Sequence, residues 1–164
     1  MKNLKIYFVV LLSLLCAIIL SIFPLPDTLK FFRPNWLILF IGFWVFALPG
    51  SIGVWTAWLF GFLLDVLFNT PLGLQAFISS FACYLAIRIQ RNMRQMDFFK
   101  QFFLIMLISL IALSFQFIIE GILGQNPLSF KLFFPISANM LFWPLIYFLL
   151  KKIQNKYGLF FVPS

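Results

Sequence analysis

In this chain of 164 residues, 63% are hydrophobic, 25 are phenylalanine and only 10% are charged, with a formal net charge of +8 and no histidine. That balance excludes a soluble globular domain and predicts an all-α polytopic membrane protein, with one integral membrane domain over residues 1–164 and no second, aqueous domain.

A hydrocarbon core about 30 Å thick takes roughly 20 helical residues to cross, and charges and prolines mark where spans end. Six spans are predicted, at residues 6–23, 35–48, 51–68, 72–89, 102–123 and 132–150. The first follows Lys2 and Lys5 as a signal peptide would, yet about 18 apolar residues is long for such a segment and no small-x-small site follows. It reads as an uncleaved anchor, and Leu15 before Cys16 rules out a lipoprotein cleavage site. The second span would rise only about 21 Å, so it is short, or tilts little, or forms a re-entrant hairpin with the third, and Pro49-Gly50-Ser51 breaks the pair either way.

In the third span Gly53, Ala57, Gly61 and Asp65 recur at intervals of four, with Asn69 next. That stripe of small and polar residues predicts packing against protein and not lipid, the small side chains admitting a neighbouring backbone. The fifth span repeats the spacing with Ala112, Gln116, Glu120 and Gly124. Between the fourth and fifth, Arg88, Arg91 and Arg94 lie three apart in a loop that ends at Lys100, with Ile89, Met93 and Met96 on another side, as in an interfacial amphipathic turn. The sixth span leads into Lys151, Lys152 and Lys156.

Lysine and arginine near span ends are retained on the cytoplasmic side. With the N-terminus inside, nine cations (Lys2, Lys5, Arg88, Arg91, Arg94, Lys100, Lys151, Lys152, Lys156) are cytoplasmic and three (Lys30, Arg33, Lys131) are outside. Both termini are therefore expected inside. The basic loop and tail, Arg88, Arg91, Arg94, Lys151 and Lys152, suit anionic lipid, each cation contributing about 1 kcal/mol, and no RNA or DNA motif accompanies them.

Enzymatic readings fail by absence. Without histidine the commonest general base and metal ligand are missing. No P-loop is present, the four acids Asp27, Asp65, Asp97 and Glu120 form no adjacent pair, and Cys16 and Cys83 lack metal or redox spacing. No cofactor, metal or catalytic residue is expected.

The informative residues are polar ones inside apolar helices, because a carboxylate near the bilayer centre costs about 2.5 to 3.5 kcal/mol. In the predicted topology Asp65, Asn69, Gln75, Gln116, Glu120 and Asn139 gather in the outer half with Arg33 and Asn35. Two readings stand side by side. The cluster recognises another helix, a lipid or a small solute, or else it supplies interhelical hydrogen bonds and one ion pair, Arg33 to Asp65 or Arg33 to Glu120.

Arg33-Pro34-Asn35-Trp36 before a short second span, Ala47-Leu48-Pro49, Gly61-x-x-x-Asp65, Leu72-Gly73, Tyr84, Asn139, Trp143-Pro144 and the exit at Lys151-Lys152 follow one another in an order that resembles the MreD family. The likeness covers nearly the whole chain. It implies a non-catalytic subunit of the bacterial elongation machinery, or elongasome, in the inner membrane. Implied partners are MreC, the MreB filament, and the RodA polymerase with a class B transpeptidase; the implied role is control of peptidoglycan synthesis and cell shape. Carried over by position, the family pattern falls on Arg33, Pro34, Asn35, Gly61, Asp65, Gly73, Asn139 and Pro144. Pro34 and Pro144 would set helix start and kink, and the glycines would permit close packing. The family also resembles, in topology alone, the six-helix substrate-binding subunits of energy-coupling transporters.

The rival is therefore a transporter subunit that binds a small solute in the same outward cluster. Against it, no inverted repeat is evident, and the first span offers only Ala17-x-x-x-Ser21 as a small-residue docking face.

Overall fold

The computed structural model describes residues 2–23, 33–48, 50, 52–92, 97–122 and 134–157. Within them the chain forms six helices: α1 (Lys2–Ile22), α2 (Trp36–Ala47), α3 (Val54–Phe68), α4 (Leu74–Asn92), α5 (Phe98–Ile122) and α6 (Phe134–Lys156).

Ten consecutive residues of α2, Leu37 to Phe46, are buried. A helix that is apolar all round belongs where it is covered all round. Accordingly α2 touches each of the other five helices and forms the axis of the bundle. Its contact with α3, the next helix along the chain, is the slightest of these. The segment that looked weakest as a span is the core. Gly42 sits there against the Ile105 side chain of α5, where a β-carbon would collide with the tip of that side chain.

The remaining core is aromatic and small. Trp44 is fully buried, and its indole N–H donates to Ser13 Oγ at 2.7 Å, which in turn donates to the Val10 carbonyl at 2.7 Å. Ser13→Ala removes the hydroxyl that accepts from this buried indole and ties α1 to α2. It should lower unfolding stability in detergent by about 1 to 2 kcal/mol, measured by sodium dodecyl sulfate titration, without changing helix content.

The outward faces are as apolar as the core. On α1 Phe8, Leu12 and Ile19 are exposed, on α3 Leu59, Val66 and Trp55 (81% exposed), and on α6 Leu141, Leu145 and Phe148. Asp65, Glu120 and Asn139 are instead buried. Polar groups inside and apolar groups outside define a bundle whose solvent is lipid. Helices α5 and α6 are each long and apolar enough to cross a membrane.

Helix ends extend past the predicted spans at one pole. α4 continues through Arg88 and Arg91, α5 begins before Lys100, and α6 continues through Lys151, Lys152 and Lys156. Arg88, Arg91 and Lys100 thus ride on helix ends, where long cationic side chains reach the interface while the backbone stays helical. Phe98 meets Tyr147 with ring centroids 4.8 Å apart, which brings the start of α5 beside the end of α6. Lys151 Nζ donates to the Tyr147 hydroxyl at 3.0 Å, and Arg88, Arg91, Lys151 and Lys152 are exposed. Arg94, Gly124 and the tail beyond Tyr157 lie outside the described residues.

Candidate functional site

At the opposite pole, the polar residues do two different jobs. Asp65, in the last turn of α3, is 0% exposed. One of its carboxylate oxygens accepts from Thr70 Oγ1 at 2.7 Å and the Gln75 N–H at 2.8 Å. The other accepts from the N–H groups of Gly73 at 3.0 Å and Ala76 at 3.1 Å. These backbone donors belong to the first turn of α4, which has no helical acceptors for them. A carboxylate there also complements the positive end of the helix dipole. Asp65 is the cap of the next helix, and it does not pair with Arg33.

The five-residue link that makes this possible needs two left-handed residues, Asn69 at φ 55° and Gly73 at φ 97°. Asparagine tolerates that region and glycine is indifferent to it. No atom lies within 4 Å of where a Gly73 β-carbon would stand, so this glycine serves the turn and not close packing. Gly53 is likewise open, with Thr56 Oγ1 the nearest atom at 3.8 Å, and caps the start of α3. Close approach falls on the other two members of the stripe. Ala57 is fully buried with its carbonyl accepting from Ser79 Oγ at 2.9 Å, and a β-carbon on Gly61 would stand 2.5 Å from the Gln75 carbonyl and 2.7 Å from Ala76 Cα.

Asn139 on α6 is also fully buried; its Oδ1 accepts from the Asn35 N–H at 2.8 Å and so ties the start of α2 to α6. Buried Pro34 precedes that tie, its carbonyl accepting from the Trp36 N–H at 3.0 Å. Pro144 lies inside α6, where its ring withholds one helical N–H.

Arg33, Gln116 and Glu120 face a cavity of about 210 Å³, with Asn35, Gln75 and Phe68 also in its wall. Arg33 donates from Nη2 to the Phe23 carbonyl at 2.9 Å and lies over the Phe68 ring, 5.0 Å from its centroid. Burial lowers its pKa from the ordinary guanidinium value. Gln116 Nε2 donates to Glu120 at 2.8 Å. Of the residues singled out in the sequence, Arg33, Asn35 and Glu120 share this cavity, Asn139 braces it from α6, and Asp65 works beside it on the α3–α4 turn. Sequence reasoning missed Gly42, Thr70 and the Ser13–Trp44 bond. Gly42 is the smallest residue in an otherwise bulky apolar helix, a signal that was there to be read.

No group of three or more metal-ligating side chains stands together among the described residues, and the polar atoms of the core bond mainly to backbone. The fold and site define a small all-helical membrane protein whose buried polar side chains join helices to one another. The family model described as rod shape-determining protein MreD matches residues 2–153, and the chain belongs to that family. It is similar to the Rod shape-determining protein MreD of Haemophilus influenzae, 26% identical over 150 residues that cover 92% of this chain and 93% of that protein. No solved structure matches it.

Proposed function

We propose that this protein is a non-catalytic membrane scaffold of the machinery that elongates the bacterial cell, helping to control lateral peptidoglycan synthesis and rod shape. It spans the inner membrane six times with both termini in the cytoplasm, and holds the membrane helix and juxtamembrane segment of MreC beside the outer polar pole. MreB, RodA and a class B transpeptidase join it through that complex. Family membership over residues 2–153 carries this reading. Supporting it, the described cations Arg88, Arg91, Lys100, Lys151, Lys152 and Lys156 lie at one pole, as the retention of positive charge on the cytoplasmic side requires.

The competing solute-carrier reading draws on the cavity. At about 210 Å³ it falls below the 300 to 1,000 Å³ usual for small-molecule sites, which favours the scaffold.

Recovery of the protein from native membranes in mild detergent should bring MreC with it in stoichiometric amount. A bound metabolite with no morphogenetic partner would instead establish the solute carrier.

A further inference from the structure

Helix α4 packs on α2, α3 and α5, and α2 touches both of the others, so the uncovered side of α4 lies between α3 and α5. Among its described side chains the exposed ones are Phe77, Tyr84, Arg88 and Arg91, with Phe81 half-buried between the first two. These five recur at intervals of four, three, four and three residues, which places them on a single strip of the helix surface about 80° wide. The strip is graded along its length: two phenyl rings, a phenol, then two guanidinium groups.

Length and width name the occupant. From Phe77 to Arg88 the helix rises about 16.5 Å at 1.5 Å per residue, close to half of a hydrocarbon core about 30 Å thick. The strip is therefore one leaflet long, with the arginines at the headgroups. A partner helix seats on an apolar stripe of about 100° or more, and here the apolar part is one side chain wide. An acyl chain needs no more than that. Phe77 and Phe81 stack with centroids 6.1 Å apart, and Phe115 of α5 stands against Phe81 at 5.0 Å, a continuous apolar wall beside the strip.

The polar end suits a phosphate. Arg88 and Arg91 lie one turn apart, and the planar fork of each matches a pair of phosphate oxygens. Among the described residues neither meets a carboxylate, and Asp97, the acid described at this pole, lies 4.0 Å from Lys100 instead. Tyr84, one turn deeper, adds an exposed hydroxyl donor. A zwitterionic lipid brings an ammonium of its own toward the two guanidinium groups, whereas an anionic lipid brings none.

We infer that this strip of α4 binds one anionic phospholipid, its phosphate on Arg88 and Arg91, its glycerol-ester region at Tyr84 and an acyl chain along Phe81 and Phe77. The inference goes beyond the scaffold reading and takes from it only the membrane topology, which makes the leaflet the cytoplasmic one. It differs from a general attraction of the basic pole for charged lipid in requiring these particular residues.

The test is competitive retention. The full-length protein is reconstituted in nanodiscs with equal phosphatidylglycerol and phosphatidylethanolamine, and the lipids that stay bound are weighed by native mass spectrometry. Wild type should retain phosphatidylglycerol over phosphatidylethanolamine by about tenfold. Arg88→Gln combined with Arg91→Gln should bring the ratio near one, and Tyr84→Phe should lower it about threefold. Lys152→Gln combined with Lys156→Gln removes the same charge from exposed positions of the same pole and should leave the ratio unchanged. Equal retention by wild type, or an unchanged ratio in the arginine pair or in Tyr84→Phe, overturns the proposal. So does an equal fall in the lysine pair, which would mean diffuse attraction and no site. If the arginine pair fails to fold by circular dichroism, Tyr84→Phe and the lysine pair decide alone. Copurification of MreC is scored on the same variants: its loss from the arginine pair with an unaltered lipid ratio would make the strip the seat of a partner helix. Nanodiscs offer both leaflets, so the ratio does not depend on topology, and absence of MreC from wild type defeats the scaffold reading only.

Discussion

Asp65→Ala should destabilise the bundle by about 4 kcal/mol and leave little folded protein in mild detergent, because four donors in a closed environment lose their acceptors together. The Thr70 hydroxyl can turn elsewhere, but the N–H groups of Gly73, Gln75 and Ala76 are fixed by the first turn of α4. Asp65→Asn should fall between wild type and alanine. Its amide oxygen serves one pair of donors while its NH2 confronts the other pair, so about half the loss is expected. Unfolding titrations of the three proteins check this order. A direct binding role for Asp65 predicts a different result, normal stability with failed partner capture, and that outcome would refute the capping role.

Gly61→Val should cost about 3 kcal/mol or prevent assembly of α3 on α4. The added carbons would run into Ser79 Oγ, the Gln75 carbonyl and Ala76 Cα, and two of those three are backbone that cannot swing aside. Comparison sites make the prediction sharp. Gly42→Ala meets only the flexible end of Ile105 and should cost about 1 kcal/mol. Gly53→Ala, with nothing closer than 3.8 Å, should be within about 0.5 kcal/mol of wild type. Equal effects at Gly61 and Gly53 would mean that the small-residue stripe acts as one unit and not through local contact.

Much of this architecture is legible in the residues themselves. Apolar run length and interruptions mark out six segments, and the four-residue spacing of Ala57, Gly61 and Asp65 identifies the face of α3 that packs on α4. Two things are not legible. Spacing puts Asp65 on the packed face but does not reveal its donors, since they come from a turn whose path depends on the left-handed Asn69 and Gly73. The stripe also reads Gly53, Ala57 and Gly61 as equivalent, whereas only distances to α4 separate a cap from a contact. Segment length likewise points away from α2 as a core element, because a span is judged by what it needs to cross lipid, and α2 is surrounded by protein.

That central position bears on biosynthesis. On the proposed membrane topology α2 is made second, while α4, α5 and α6, which enclose it, are made later. Until they arrive it must remain in the bilayer without a protein sheath, and a helix with no polar side is the kind that can wait there. The uniform greasiness of Leu37 to Phe46 then serves two successive solvents, first hydrocarbon chains and later neighbouring helices. A polar substitution in this stretch would be felt at insertion, before any tertiary contact exists to be broken.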